Sequence, residues 1–294
     1  GGQGSPKPKI LTPPARREVA EELVQARLSI TCACRIAGLS QAAYYKRPAA
    51  AAVRDAEMID ALNGIVSQHG RWGFWKCFDR LRLDGQRWNH KRVHRVYCEM
   101  KLNLPRRGKK RLPGRPRQPL GLAAEPNRCW ALGFMHDALY CGRRFRTLNV
   151  IDEANRECLA IEVGSSIPSS RLICVLSRLV DCYGAPEAIR MDNGPEMVSQ
   201  AFTEWAGAKG IAVRYIQPGK PDQNAFIGRF NRTYRTEVLD ANLFANLGQV
   251  QAITERWLVD YNEYCPHTSL GGLPPVQFMP RLTTAQNVYK SLST

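Results

Sequence analysis

Asp192 is the residue best placed to do chemistry. It ends the strand-like run Ala188–Met191 and precedes Asn193-Gly194, a turn dipeptide that exposes its carboxylate. A carboxylate at that point can ligate a divalent cation. It can equally be a turn or N-cap aspartate before the helix expected at Val198, and spacing alone does not separate the two. Mg²⁺ takes oxygen ligands and keeps several waters, so a site for it needs a few carboxylates converging on one point. Two such ions, roughly 3.5–4 Å apart, stabilise the attacking and leaving oxygens of phosphodiester transfer. A second segment, Gly219-Lys220-Pro221-Asp222-Gln223-Asn224-Ala225-Phe226-Ile227-Gly228-Arg229-Phe230-Asn231-Arg232, follows, and 35 residues lie between Asp192 and Gly228.

The elements that must position Asp192 begin at Asn127. Trp130–Leu139, Arg144–Ile151 and Cys158–Val163 read as strands, the first two joined by the turn Tyr140-Cys141-Gly142-Arg143. Pro168–Tyr183 is an amphipathic helix with Leu172, Val175, Leu176, Leu179 and Val180 on one face. Ala188–Met191 is a fourth strand, Val198–Lys209 a helix and Ile211–Ile216 a fifth strand, and Asn224–Leu239 and Gln249–Tyr264 are closing helices. The order β-β-β-α-β-α-β-α-α predicts an α/β ribonuclease-H-like core: a mixed five-stranded sheet with helices on both faces.

Upstream, the pattern is helical and basic. Residues 1–13 are Gly/Pro-rich and expected to be disordered. Residues 14–50 hold an amphipathic helix over Ala15–Ala26 (Val19, Leu23 and Val24 on one face), a second over 29–39 and a short third, capped by Ser40, that ends in Lys46-Arg47. This is a helix-turn-helix pattern. After an Ala-rich hinge at 48–53, a second set in 54–103 runs Asp55–His69, Gly73–Leu83 and Asn89–Leu102, with Trp72, Phe74, Trp75 and Trp88 as a small core. Its last helix carries Lys91, Arg92 and Arg95, with Val93, Val96 and Met100 facing inward. Residues 104–126 form an extended basic linker whose Arg106, Arg107, Lys109, Lys110, Arg111, Arg115 and Arg117 can neutralise phosphates. The core is expected over 127–280 and a tail over 281–294.

Residues 1–120 carry 25 Lys and Arg against 9 Asp and Glu, while 121–294 carry 17 of each, so the whole formal charge of +16 sits on the first 120 residues. A basic module joined to a neutral one points to a nucleic-acid-binding arm on a separate core. No run of 18 apolar residues exists, so no membrane span is expected, and the N-terminus lacks the apolar stretch of a secretory signal. The chain does not begin with Met, which suggests a fragment, a processed product or part of a fusion. None of the 10 cysteines forms a C-x-x-C pair, so they are read as small buried hydrophobes in a reducing cytosol. His90 and His94 lie one helical turn apart with no cysteine pair to complete a metal site, and are read as surface or groove residues.

Together, Phe134–Leu139, Arg143–Asp152, Asp192–Glu196, Gln217–Arg235 and Tyr261-Asn262 with Pro266–Gly271 make the chain similar, over roughly 15–280, to the integrase-core transposases of two-reading-frame bacterial insertion sequences and to retroviral integrases. The resemblance implies a DNA-cutting and DNA-joining activity that uses Mg²⁺ or Mn²⁺ held by two Asp and one Glu. It also implies double-stranded DNA partners (element inverted-repeat ends and target DNA), a homo-oligomer on DNA, and a bacterial, nucleoid-associated cytoplasmic location. Synthesis as a fusion after a frameshift would account for the missing Met.

In that family the first-strand word is Asp-Phe and the helix word is Phe-Ile-Glu-Arg-Phe-Asn. Here they read Gly133-Phe134 and Phe226-Ile227-Gly228-Arg229-Phe230-Asn231. Asp192 is then the one metal ligand in place, and Gly133 and Gly228 stand where carboxylates belong. Asp137 lies four residues along the strand, Glu196 and Asp222 belong to the family's ordinary words, and none is expected to substitute. Neither glycine has a structural motive, since a helix-interior Gly costs about 1 kcal/mol relative to Ala and Gly weakens a strand. Cys265, where the family usually has Arg, fits a decayed copy. Lys220, Arg229 and Arg232 are expected near the cut phosphates. The chain is expected to bind DNA with its catalysis impaired; the competing reading is a non-catalytic transposase-derived protein that represses or inhibits active copies.

Overall fold

The computed structural model describes residues 13–45, 51–105, 125–217 and 221–281. Lys46, Arg47, the linker cations Arg106, Arg107, Lys109, Lys110, Arg111, Arg115 and Arg117, and Lys220 lie outside the described residues. The chain forms two compact units, Gly1–Ile59 and Asp60–Thr294.

In the first unit, α1 (Pro13–Gln25), α2 (Ile30–Ala37) and α3 (Gln41–Tyr45) follow the expected boundaries closely. Ser29 caps α2 by accepting from the Cys32 N–H, and Gly38 ends it in the left-handed conformation at φ 64°, which favours glycine. Ser40 Oγ accepts from the Ala43 N–H and starts α3. Arg16 donates to the Gly38 carbonyl at 2.9 Å, and Arg17 to that of Ala43, so α1 clamps the turn from outside. The core between these helices is small: Ala20, Ala33, Cys34 and Ala37 are buried. The next helix, α4, covers Ala51–Gln68, so it starts inside the segment read as a hinge.

The second unit contains α5 (Phe74–Leu83) and α6 (His90–Glu99) and then a five-stranded sheet. The strands are β1 (Cys129–Ala138), β2 (Arg144–Asp152), β3 (Cys158–Gly164), β4 (Ala188–Met191) and β5 (Ala212–Tyr215), in the order β3-β2-β1-β4-β5. β1, β2 and β3 pair antiparallel, and β4 and β5 run parallel to β1. This is the ribonuclease-H-like topology.

Side chains alternate across a strand, so β1 feeds two cores. Trp130 and Leu132 pack with Leu148, Val150 and Ile189 under α7 (Ser169–Tyr183) and α8 (Gln200–Ala208). Ala131 and Met135 pack with Phe145, Ile151 and Ile161 under α9 (Ala225–Tyr234) and α10 (Leu247–Val259). Each fully buried Leu, Ile or Phe in these layers contributes roughly 1.5–3 kcal/mol. A wider helical turn extends α9 over Arg235–Leu239 and α10 over Asp260–Tyr264, and α11 is the short helix Pro275–Phe278.

Two expectations, about the second helical set and the cysteines, change. Trp75 is 60% exposed rather than core, while Trp72 is buried and stacks on His69 at 4.0 Å, with Tyr264 stacked against both rings. Cys141 and Cys174 are exposed, so the cysteines are not uniformly buried. The set also packs on the segments that follow the core helices. Lys76 of α5 pairs with Glu237 at 3.1 Å, and Arg80 lies 4.1 Å over the Tyr264 ring while donating to that residue's carbonyl. α5 is thereby fixed to the segment that follows α9 and α10. Among the described residues, no helix is long and apolar enough to cross a membrane.

Candidate active site

The sheet register relates two of the three sequence-marked positions. β1 and β4 pair in parallel as Trp130↔Ile189 and Ala131↔Arg190. Continuing that register two residues sets Gly133 across from Asp192, one strand spacing or about 4.8 Å away. Asp192 is exposed just past the end of β4, and its Oδ1 accepts the Gly194 N–H at 3.2 Å. That turn is tied down by Asn193, whose amide donates to the Ile216 carbonyl at 3.2 Å.

α9 closes the site from above. Asn224, at its start, donates to the Leu132 carbonyl at 3.1 Å, and Arg190 reaches the Gln223 carbonyl at 2.8 Å. A Cβ on Gly133 would lie 3.0 Å from both Asn231 Nδ2 and Ile227 Cγ1, so α9 packs on this glycine with almost no space to spare. Gly228, the residue after Ile227, is exposed, and a Cβ there would meet nothing within 4 Å. The two glycines therefore differ: one is sealed under a helix, the other opens to solvent.

Polar groups that sequence reasoning did not single out fill the sealed side. Asn149 is the cross-strand partner of Gly133, and its Nδ2 donates to Asn231 Oδ1 at 2.7 Å. That bond turns the Asn231 amide nitrogen, a donor, toward Gly133. An asparagine between Leu148 and Val150 in an apolar strand was the available signal, because a polar side chain placed there needs a partner.

The nearby acids are engaged elsewhere. Glu196 pairs with Arg146, whose hydrogen bond holds the carboxyl below its ordinary pKa, and Arg146 also lies 4.3 Å over the Phe134 ring. Asp137 pairs with Arg235 at 3.1 Å. Among the described residues, no group of three His, Cys, Asp or Glu side chains converges as a metal site. Of the expected DNA contacts, Lys91, Arg229 and Arg232 are exposed, Arg92 is half-buried and Arg95 pairs with Glu99 at 2.9 Å.

Because Gly228 sits mid-helix in open space, Gly228→Glu is expected to stabilise the fold by roughly 0.5–1 kcal/mol through helix propensity. Thermal unfolding of the single variant tests this; a lowered midpoint would mean that the glycine relieves a clash or repulsion at the site.

The models of two family segments described as "Integrase core domain" match residues 123–221 and 209–275, and one described as "HTH-like domain" matches 53–110. The chain is 36% identical over 279 residues, 95% of its own length and 80% of the relative's, to the "Insertion element IS476 uncharacterized 39.2 kDa protein" of Xanthomonas euvesicatoria. It is 36% identical, over 84% of its length and 88% of the relative's, to the "Insertion element IS407 uncharacterized 31.7 kDa protein" of Burkholderia multivorans. Among solved structures it is similar to a chain of the simian T-cell lymphotropic virus intasome, with a TM-score of 0.49 and 18% identity over 76% of each chain. With integrase-core and helix-turn-helix-like segments in this order, and insertion-element relatives along nearly its whole length, the chain belongs to the integrase-core transposase family of bacterial insertion elements.

Proposed function

We propose that this chain binds the double-stranded DNA ends of its insertion element, as a homo-oligomer in the bacterial cytoplasm, and that its own cutting and joining activity is impaired. One observation carries the reading. Of the three family ligand positions, Gly133 lies on β1 next to the strand that leads to Asp192, Gly228 lies on the helix packed over Gly133, and only Asp192 carries a side-chain oxygen. A Mg²⁺ or Mn²⁺ pair needs several oxygen donors at one point. The donor set here does not fit: two of the three family ligand positions are glycine, and the Asn231 amide nitrogen occupies the space beside the first of them. Glu196 and Asp137 are held by arginines, so neither is available to replace the missing carboxylates.

Binding rests on different residues. Lys91 and Arg92 on α6, Arg229 and Arg232 on α9, and the basic stretch 106–117 supply phosphate contacts independent of the metal ligands. Raising salt from 50 to 200 mM is expected to lower affinity for end DNA by about 10²-fold for the first four of these cations alone, and more with the stretch 106–117. A gel-shift titration is expected to show that slope, with Lys91→Ala lowering it by about one contact. A flat salt response would sink the binding claim.

A chain that holds element ends without cutting them would also compete with active copies. The neutral core and intact basic arm favour this second reading, a repressor or inhibitor. Co-expression with an active relative tests it: transposition is expected to fall, and an unchanged frequency would remove it.

A further inference from the structure

α9 also borders a pocket of about 140 Å³, whose lining shares only Arg229 with the DNA contacts proposed above. Arg156 from the β2–β3 turn, Arg229 of α9, Lys76 of α5 and His267-Thr268-Ser269 from the segment after α10 line it, and no Asp or Glu does. Arg156 is only 8% exposed, its guanidinium lies 3.5 Å over the Phe226 ring, and its Nη1 is buried with no hydrogen-bond partner. Its backbone sits at φ 63°, in the left-handed region that non-glycine residues seldom adopt, so the chain accepts strain to place this cation. Burial pushes the Arg156 pKa down, and the nearby Glu153 and Asp152 carboxylates only partly oppose it.

The rest of the wall reinforces the deficit. His267 Nε2 is also buried without a partner. Its pKa is pushed down to about 3, by burial first and then by Lys76, with Arg229 and Arg156 adding to the effect, so the ring is neutral at pH 7. Glu153, the carboxylate that acts most on Arg156, is shared with Arg190 at 3.2 Å, and Glu237 pairs with Lys76. A buried guanidinium nitrogen and a buried ring nitrogen without hydrogen-bond partners each carry a desolvation cost that a ligand would relieve.

We propose that this pocket binds a phosphate group. Arg156 offers a planar fork held by Phe226, Arg229 adds charge from α9, Lys76 lines the wall with its charge shared by Glu237, and the Thr268 and Ser269 hydroxyls add donors. Donors converging from several directions suit a tetrahedral oxyanion. The volume admits one phosphate and excludes a duplex, so the group is either a free or small-molecule phosphate or the terminal phosphate of a DNA strand. The site does not depend on the catalytic reading.

The test is calorimetric titration of the full chain, at fixed ionic strength, with inorganic phosphate and with short oligonucleotides bearing a 5′-phosphate or a 5′-hydroxyl. Saturable binding is expected, weakened at least about tenfold by Arg156→Gln and measurably by Arg229→Ala. Saturation by inorganic phosphate assigns the small-molecule source. A 5′-phosphate preference that both variants abolish assigns the strand end. Should Arg156→Gln fail to fold by circular dichroism, the exposed Arg229→Ala decides alone. No saturable binding in either arm, or equal affinity in the wild type and the folded variants, overturns the proposal.

Discussion

The double variant Gly133→Asp, Gly228→Glu is expected to cut element-end DNA in Mg²⁺, where the unmodified chain gives only background. Several kcal/mol of transition-state stabilisation come with a properly held metal, and about 4 kcal/mol is roughly 10³-fold in rate. The register makes the prediction specific: Gly133 falls across from Asp192, and α9 lays Gly228 one residue beyond the Ile227 that covers Gly133. At 228 the new side chain enters open space. At 133 its Cβ arrives 3.0 Å from Asn231 Nδ2 and Ile227 Cγ1, both side-chain atoms, which must give by a few tenths of an ångström. Once Asn231 shifts, its amide can donate to the new carboxylate, so the same group that opposes a cation in the present chain would orient a ligand in the variant. Neither single variant completes the set, so the gains are expected to be far from additive. Adding Asp192→Asn to the double variant should return it to background. Mg²⁺-dependent cleavage by the unmodified chain would refute the impaired reading. A double variant that folds and binds end DNA but stays inert would locate further damage beyond the two glycines.

Local pattern carried most of the fold into the sequence, and long-range pairing carried little. β4 was legible to the residue because Ala188–Met191 lies between a Gly-Ala-Pro break and a turn, and alternation on β1 separates the two cores. The spacing from Asp192 to Gly228 was legible too, since a strand end and a helix start are both local. The amide bridge from Asn149 to Asn231 was not, as it joins residues 82 apart. Nor was the docking of α5: Lys76 finds Glu237 across 161 positions, and nothing in the periodicity of either helix marks that pair. Trp75 was misjudged because helical spacing says which residues share a face, but not whether anything covers it.

Arg281→Ala is expected to cost about 3–5 kcal/mol, the loss that follows removal of one partner from a buried ion network. Arg281 is the first residue of the segment read from sequence as a tail, yet its side chain is 9% exposed. It donates to Asp152 Oδ2 at 2.6 Å, to Glu157 Oε2 at 2.6 Å and to Asn127 Oδ1 at 2.7 Å, and its guanidinium lies 4.8 Å over the Tyr183 ring. Asp152 is fully buried and also accepts the Asn127 N–H at 2.7 Å and the Ala154 N–H at 2.9 Å. The clamp therefore joins the start of β1, the end of β2 and the last turn of α7 to the segment after α11. Alanine would leave two buried carboxylates facing one another without a cation. Lysine would keep the charge but could not present one rigid fork to three acceptors, so Arg281→Lys should recover only part of the loss. Urea unfolding followed by tryptophan fluorescence measures both, because buried Trp130 donates to Asn127 in the same cluster. A loss below about 1 kcal/mol, the scale of an exposed pair, would mean that water rather than Arg281 satisfies Asp152 and Glu157 in solution.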